Sequence, residues 1–139
     1  MESYELPPEA EAIRKDIRQM VSEADTVSNK QDKSNSITIM EDEMGNKTYL
    51  GASLTEEITR LIEIMRIGRG WGYRLVNFRH HSVLPIKQGQ GYLIPLSEQI
   101  MTAPGGILQE GFYKIIVNEL TISAGAIAIF ILPYELCER

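Results

Sequence analysis

Between Phe112 and Tyr134 the chain reads FYKIIVNELTISAGAIAIFILPY, a run that is β-branched, aromatic and almost free of charge. Inside it, Ala124 to Leu132 is apolar throughout apart from the neutral Gly125. A helix needs about 20 apolar residues to cross a bilayer, so this shorter run fits a strand buried on both faces. Ile127, Ile129 and Ile131 point to one side of that strand, and Ala128, Phe130 and Leu132 to the other. A strand with two apolar faces belongs inside a sandwich or barrel, or between subunits. The other segments are read around it.

Pro7-Pro8 followed by EAEAIRKDIRQMVSEADTV predicts a helix with acidic residues in its first turn. Its apolar positions, Leu6, Ala10, Ile13, Ile17, Met20, Ala24 and Val27, alternate steps of four and three, the spacing of a heptad seam. With Ala10 at a, Glu9 falls at g and Arg14 at the following e, a candidate interhelical pair. Such a seam is marginal alone and needs a partner, either its own domain or a companion helix. Ser28–Ser36 is polar throughout and reads as a linker. Ile37–Met40 and Thr48–Leu50 predict a hairpin around Met44-Gly45-Asn46. Ser53-Leu54-Thr55-Glu56 forms a capping-box pattern that opens an amphipathic helix with Leu54, Ile58, Leu61 and Met65 on one stripe and Gly68 as its stop. From Trp71 onward the pattern shortens to β-like segments: Tyr73–Phe78, Ser82–Ile86, Tyr92–Leu96, Ile107–Leu108 and the terminal strands.

These elements predict an α+β chain: a helical arm over 1–30 (a candidate coiled coil), a linker and hairpin over 31–53, an amphipathic helix over 54–68, and a small antiparallel β-sandwich or barrel over 69–139. The β-part has little interior in which to hide both faces of its central strand. Subunit contact resolves that shortage, so the expected oligomer interface comprises Ala10, Ile13, Ile17, Met20, Ala24 and Val27 on the seam, with Ile127, Ile129 and Ile131 on the strand. Isoleucine at both a and d (Ile17, Ile13) favours three strands, hence a homotrimer.

Charge refines this picture. The net charge of −5 argues against wholesale wrapping of nucleic acid. From Ile58 to Ser97, six Lys or Arg face Glu63 alone, while the remainder holds eight basic and eighteen acidic residues. Arg69, Arg74, Arg79 and Lys87 are therefore the expected contacts to an anionic partner, foremost the acidic surface of a neighbouring copy. The alternative is a binding module capturing an anionic ligand or nucleic acid.

Candidate chemistry is sparse. The glycines of GRGWG follow a helix and lead into a strand, the reverse of a phosphate loop. His80 and His81 are adjacent and point to opposite faces of a strand, with no ligand-spaced partner, so no metal is expected. MEDEMGN lacks the alternating carboxylates of a calcium loop. No nucleophile and base are marked by a motif, so neither catalysis nor a cofactor is expected. The single cysteine, Cys137, leaves no internal disulfide. The acidic start lacks the apolar core of a signal peptide, and no stretch reaches the length of a membrane span. A virion or cytoplasmic setting is expected.

The order of elements (helical arm, polar linker, second helix, compact β-body) resembles the small accessory proteins of phage particles, such as capsid decoration proteins and short fibres. That resemblance implies a non-enzymatic structural protein, homotrimeric, docked on a capsid or fibre. It carries over no functional residue.

Overall fold

The structure is a computed structural model describing residues 3–26, 37–68, 70–84, 91–103, 106–116 and 120–133. Two helices and eleven strands follow in chain order: β1 (Ser3–Glu5), α1 (Pro8–Thr26), β2 (Thr38–Glu41), β3 (Lys47–Leu50), α2 (Ala52–Ile64), β4 (Trp71–Asn77), β5 (Ser82–Leu84), β6 (Gly91–Pro95), β7 (Gln99–Ala103), β8 (Gly106–Gln109), β9 (Phe112–Ile116), β10 (Leu120–Ile122) and β11 (Ile127–Pro133). They form a seven-stranded sheet of order β1-β9-β6-β11-β4-β3-β2 and a four-stranded sheet of order β5-β10-β7-β8. All pairings are antiparallel, so the chain is α+β. Among the described residues neither sheet closes on itself.

β11 is the centre, as its sequence demands. It pairs with β4 through Ile127↔Asn77 to Pro133↔Trp71 and with β6 through Ala128↔Pro95 to Ile131↔Tyr92. Ile129 and Ile131 join Leu75, Ile94 and Tyr49 beneath both helices. Ala128 and Phe130 join Val76, Leu93 and Ile116 on the opposite face, where Ile100, Leu108, Leu120 and Ile122 of the small sheet cover them. Burial on both faces thus comes from three layers of one chain: helices, large sheet and small sheet.

This corrects the expected subunit interface. Ala10, Ile13, Ile17 and Ala24 are buried against α2 and the large sheet, Met20 is half-buried there, and Ile129 and Ile131 lie in the same cluster with Ile127 at its margin. Val27 falls outside the described residues. Val21 is buried as well, so the stripe is wider than a coiled-coil seam and matches a helix lying on its own domain. The sequence showed a surface needing cover but not who supplies it. The arm and hairpin merge with the body too, because β1, β2 and β3 are strands of the large sheet.

α2 departs from its expected ends. Its N-cap is Gly51 rather than Ser53, which lies inside the helix. At the other end, the Arg66 amide donates to Glu63 O (3.1 Å) and the Ile67 amide to Ile62 O (3.2 Å). That is a Schellman pattern in which Arg66, at φ 57°, occupies the left-handed position expected for Gly68. Ile67 and Ile62 meet in the same apolar cluster, the contact that accompanies this cap. The hairpin β2–β3 forms close to its expected place, with the Asp42 carboxylate accepting the amides of Met44 and Asn46 (both 2.9 Å). β1 and β7 had no clear sequence signal. β1 is three residues long, and β7 alternates Gln99, Ile100, Met101, Thr102, Ala103 with small polar residues among them.

Candidate interaction surfaces

Of the four expected anion contacts, Arg74 and Arg79 are described. Arg69 and Lys87 lie outside the described residues. Arg74 is exposed on β4 opposite Phe130, and Arg79 is exposed just beyond the end of that strand. Arg79 instead shares a cleft of about 300 Å3 with Gly45, Lys47, Asn77, Phe78 and Gly125. Its backbone amide donates to Asn46 Oδ1 (2.7 Å), and its stem lies against Gly45, where an added Cβ would come within 3.3 Å. Lys47 was not singled out by sequence spacing; the β2–β3 turn brings it there. Glu41 pairs directly opposite Lys47 in the hairpin, and Asp42 and Glu43 follow, but none of the three lines the cleft.

Two further grooves flank the helices. One, of about 520 Å3, lies between α1 and the β6–β7 turn and includes Arg18, Ser97, Glu98 and Gln99. The other, also about 520 Å3, lies where the start of α1 (Pro7, Pro8, Glu9) meets the end of α2 (Ile64, Met65, Arg66) above Tyr113. Beside it runs an aromatic row across the large sheet: Tyr4 to Tyr113 (5.5 Å between ring centres), Tyr113 to Tyr92 (6.2 Å) and Tyr92 to Trp71 (5.5 Å). Burial, and then the nearby Tyr113, push the Tyr92 phenol above its ordinary value.

Two buried cations were not anticipated. Arg14, 1% exposed, ion-pairs with Glu11 on its own helix and with Glu110 (3.2 Å), and donates to Pro95 O (3.3 Å). Burial alone would lower its pKa, but the bonds and charges of Glu11 and Glu110 outweigh that and raise it. Arg18 reaches the same Glu110 (2.7 Å). The pair expected between Glu9 and Arg14 across helices is replaced by this internal lock. It ties α1 to the β8–β9 turn, where Leu6 N donates to Gly111 O (2.9 Å). Gly111 suits that turn because its φ is 90°, a backbone conformation that residues with a side chain rarely adopt.

Lys114, 2% exposed, faces the layer between the sheets from β9. Its ammonium donates to Thr102 Oγ1 (3.1 Å), which in turn donates to Gly106 O (2.8 Å). Among the described residues no carboxylate pairs with it, and burial lowers its pKa. An alternating strand with one lysine on its inner face is the only sequence signal, and it is a faint one.

His80 and His81 are both exposed, beyond β4. Among the described residues no group of three or more His, Cys, Asp or Glu comes together as a metal site. Cys137 lies outside them. Among the same residues no helix is long and apolar enough to cross a membrane.

Among the described residues the large apolar side chains at the surface are Tyr4, Met40, Met44, Leu50, Val83, Met101 and Ile107. None of them lines any of these three grooves. Met40 and Leu50 stand on the hairpin strands, with Met44 at its tip. Val83, Met101 and Ile107 share the outer face of the small sheet, opposite the side that covers β11. Comparison with protein-family models, with curated proteins and with solved structures finds no match to this chain.

Proposed function

We propose that the chain is a non-enzymatic structural protein that associates with copies of itself and docks on a larger assembly, in the manner of the virion accessory proteins whose order of elements it resembles. In this reading the two sheets pack face to face as a sandwich roofed on one side by the helices. One observation carries the proposal: among the described residues the exposed large apolar side chains stand on open strands and a hairpin tip, outside the three grooves above. A small-molecule site concentrates apolar lining in a concavity, whereas a macromolecular contact leaves it on an open surface. The helical seam no longer argues for three copies, since Ile13 and Ile17 are spent inside the chain. Sedimentation across a concentration series tests the proposal. Mass rising with concentration is the expected result, and a single 15.7 kDa species at every concentration would overturn it.

A second reading, capture of an anionic ligand, is favoured by Lys47 and Arg79 sharing one cleft. It predicts salt-sensitive binding of inorganic phosphate or an oligonucleotide that disappears in Arg79→Ser.

A further inference from the structure

We propose that the outer face of the four-stranded sheet, centred on Val83, Met101 and Ile107, is the surface on which a second copy of this chain packs, in a two-fold contact. The inference rests on the self-association reading and assigns it a place.

The burial pattern defines the face. β7 alternates exposed, buried, exposed, buried, exposed, with Ile100 and Thr102 turned inward and Gln99, Met101 and Ala103 outward. Register carries the alternation across the sheet: Met101 lies opposite Ile107 on β8, and Thr121 on β10 lies between Ala103 and Val83. Val83, Met101 and Ile107 remain 53%, 52% and 55% exposed. The solvated side of an antiparallel sheet ordinarily carries polar and charged residues, and free edges carry lysine. Here the four strands read SVL, LTI, QIMTA and GILQ, without one Asp, Glu, Lys or Arg. The chain as a whole is 24% charged, so a charge-free sheet with a bare face is a local departure.

The absence of charge also selects the occupant. In a two-fold contact the same patch meets itself, so any charge near the axis would meet its own kind. A neutral face escapes that cost, which matters for a chain carrying −5 overall. A nucleic acid or an anionic bilayer would be drawn by lysine and arginine, and the four strands offer neither. A second copy is the partner whose neutrality is guaranteed by sequence.

Size sets the strength. Four strands about 4.8 Å apart and about 15 Å long present roughly 300 Å2. A standard interface takes about 800 Å2 from each partner, so this face makes a small contact of the weak class. A pair held this way is concentration-dependent.

The test is sedimentation of wild type, Met101→Glu and Met101→Lys, each with a thermal unfolding scan. All three positions are exposed, so the variants should keep the wild-type unfolding midpoint while their self-association weakens at least about tenfold. Mixing the Glu and Lys variants should restore pairing, because opposite charges then face each other across the axis. Val83→Glu should repeat the loss if Met101 proves to disturb the fold. An oligomer that survives the Glu substitutions, or a mixture that fails to pair, overturns this placement and leaves self-association standing. A wild type that stays monomeric at about 100 µM removes both.

Discussion

The two sheets of this protein are built on the same antiparallel principle but end in different surroundings. The seven-stranded sheet is covered twice, by α1 and α2 on one face and by the small sheet on the other. Among the described residues the four-stranded sheet is covered once. Their strands differ accordingly: β11 is apolar at every position, whereas β7 alternates and places its apolar outward residue in water. Layer position, more than strand pairing, therefore decides what a residue is worth in each sheet.

The largest test sets Ile129 against Ile107. Ile129 is fully buried beneath the helices, so Ile129→Ala should cost about 3–4 kcal/mol of unfolding free energy, and Ile129→Asp should prevent folding. Ile107→Ala, on the bare face, should stay within about 0.5 kcal/mol in the same urea titration. Equal costs would mean that the small sheet's outer face is covered in the isolated chain.

Next comes the lock that fixes α1 onto the doubly covered sheet. Removing a deeply buried partner of an ion pair costs about 3–5 kcal/mol, but Glu11 and Glu110 keep partial access to water. Arg14→Ala should therefore cost about 2 kcal/mol, more than Arg60→Ala, whose pairing with Glu57 on α2 is exposed and worth at most about 1 kcal/mol. Urea midpoints of the two variants make the comparison.

The layer between the sheets contains Lys114, which among the described residues has no countercharge, and its removal should help. Lys114→Met should stabilise the protein by about 1–2 kcal/mol near neutral pH, leaving Thr102 bonded to Gly106 O. The pH dependence follows from linkage. Burial lowers the pKa of Lys114 in the folded chain below the ordinary 10.5, so between those two values the unfolded chain binds more protons. The stability withheld by Lys114 is absent below its folded pKa, is recovered as pH rises through that window, and is complete above 10.5. Tyr92 acts in the opposite sense, because its phenol is raised above 10.0 and stability falls as pH climbs past that value. The difference between wild type and Lys114→Met across alkaline pH isolates the lysine, and a constant difference would contradict it.

The smallest effect lies at the rim of the helical layer. Arg66 holds a left-handed conformation at φ 57° that glycine adopts without cost. Arg66→Gly should raise stability by about 0.5–1 kcal/mol, detectable as a small upward shift in thermal midpoint.

The sequence by itself determined local matters with short-range causes. The unbroken apolarity of 126–132 made β11 a doubly buried strand, and periodicity placed both helices and the β2–β3 hairpin. Short strands went unread when their alternation was weak, as in β1 and β7. Local rules were also overridden at α2: its N-cap is Gly51 rather than Ser53, and Arg66 took the place expected of Gly68. What covers an apolar stripe is a long-range matter, because hydrophobic burial has no direction and the pattern of Ala10, Ile13 and Ile17 suits another helix or a sheet equally well. Only the tertiary structure turned that stripe inward, brought Lys47 beside Arg79, buried Arg14 and Lys114, and left Val83, Met101 and Ile107 facing water. Of the arginines spaced along the sequence, Arg74 stands on β4 and Arg79 beyond its end, in the cleft with Lys47.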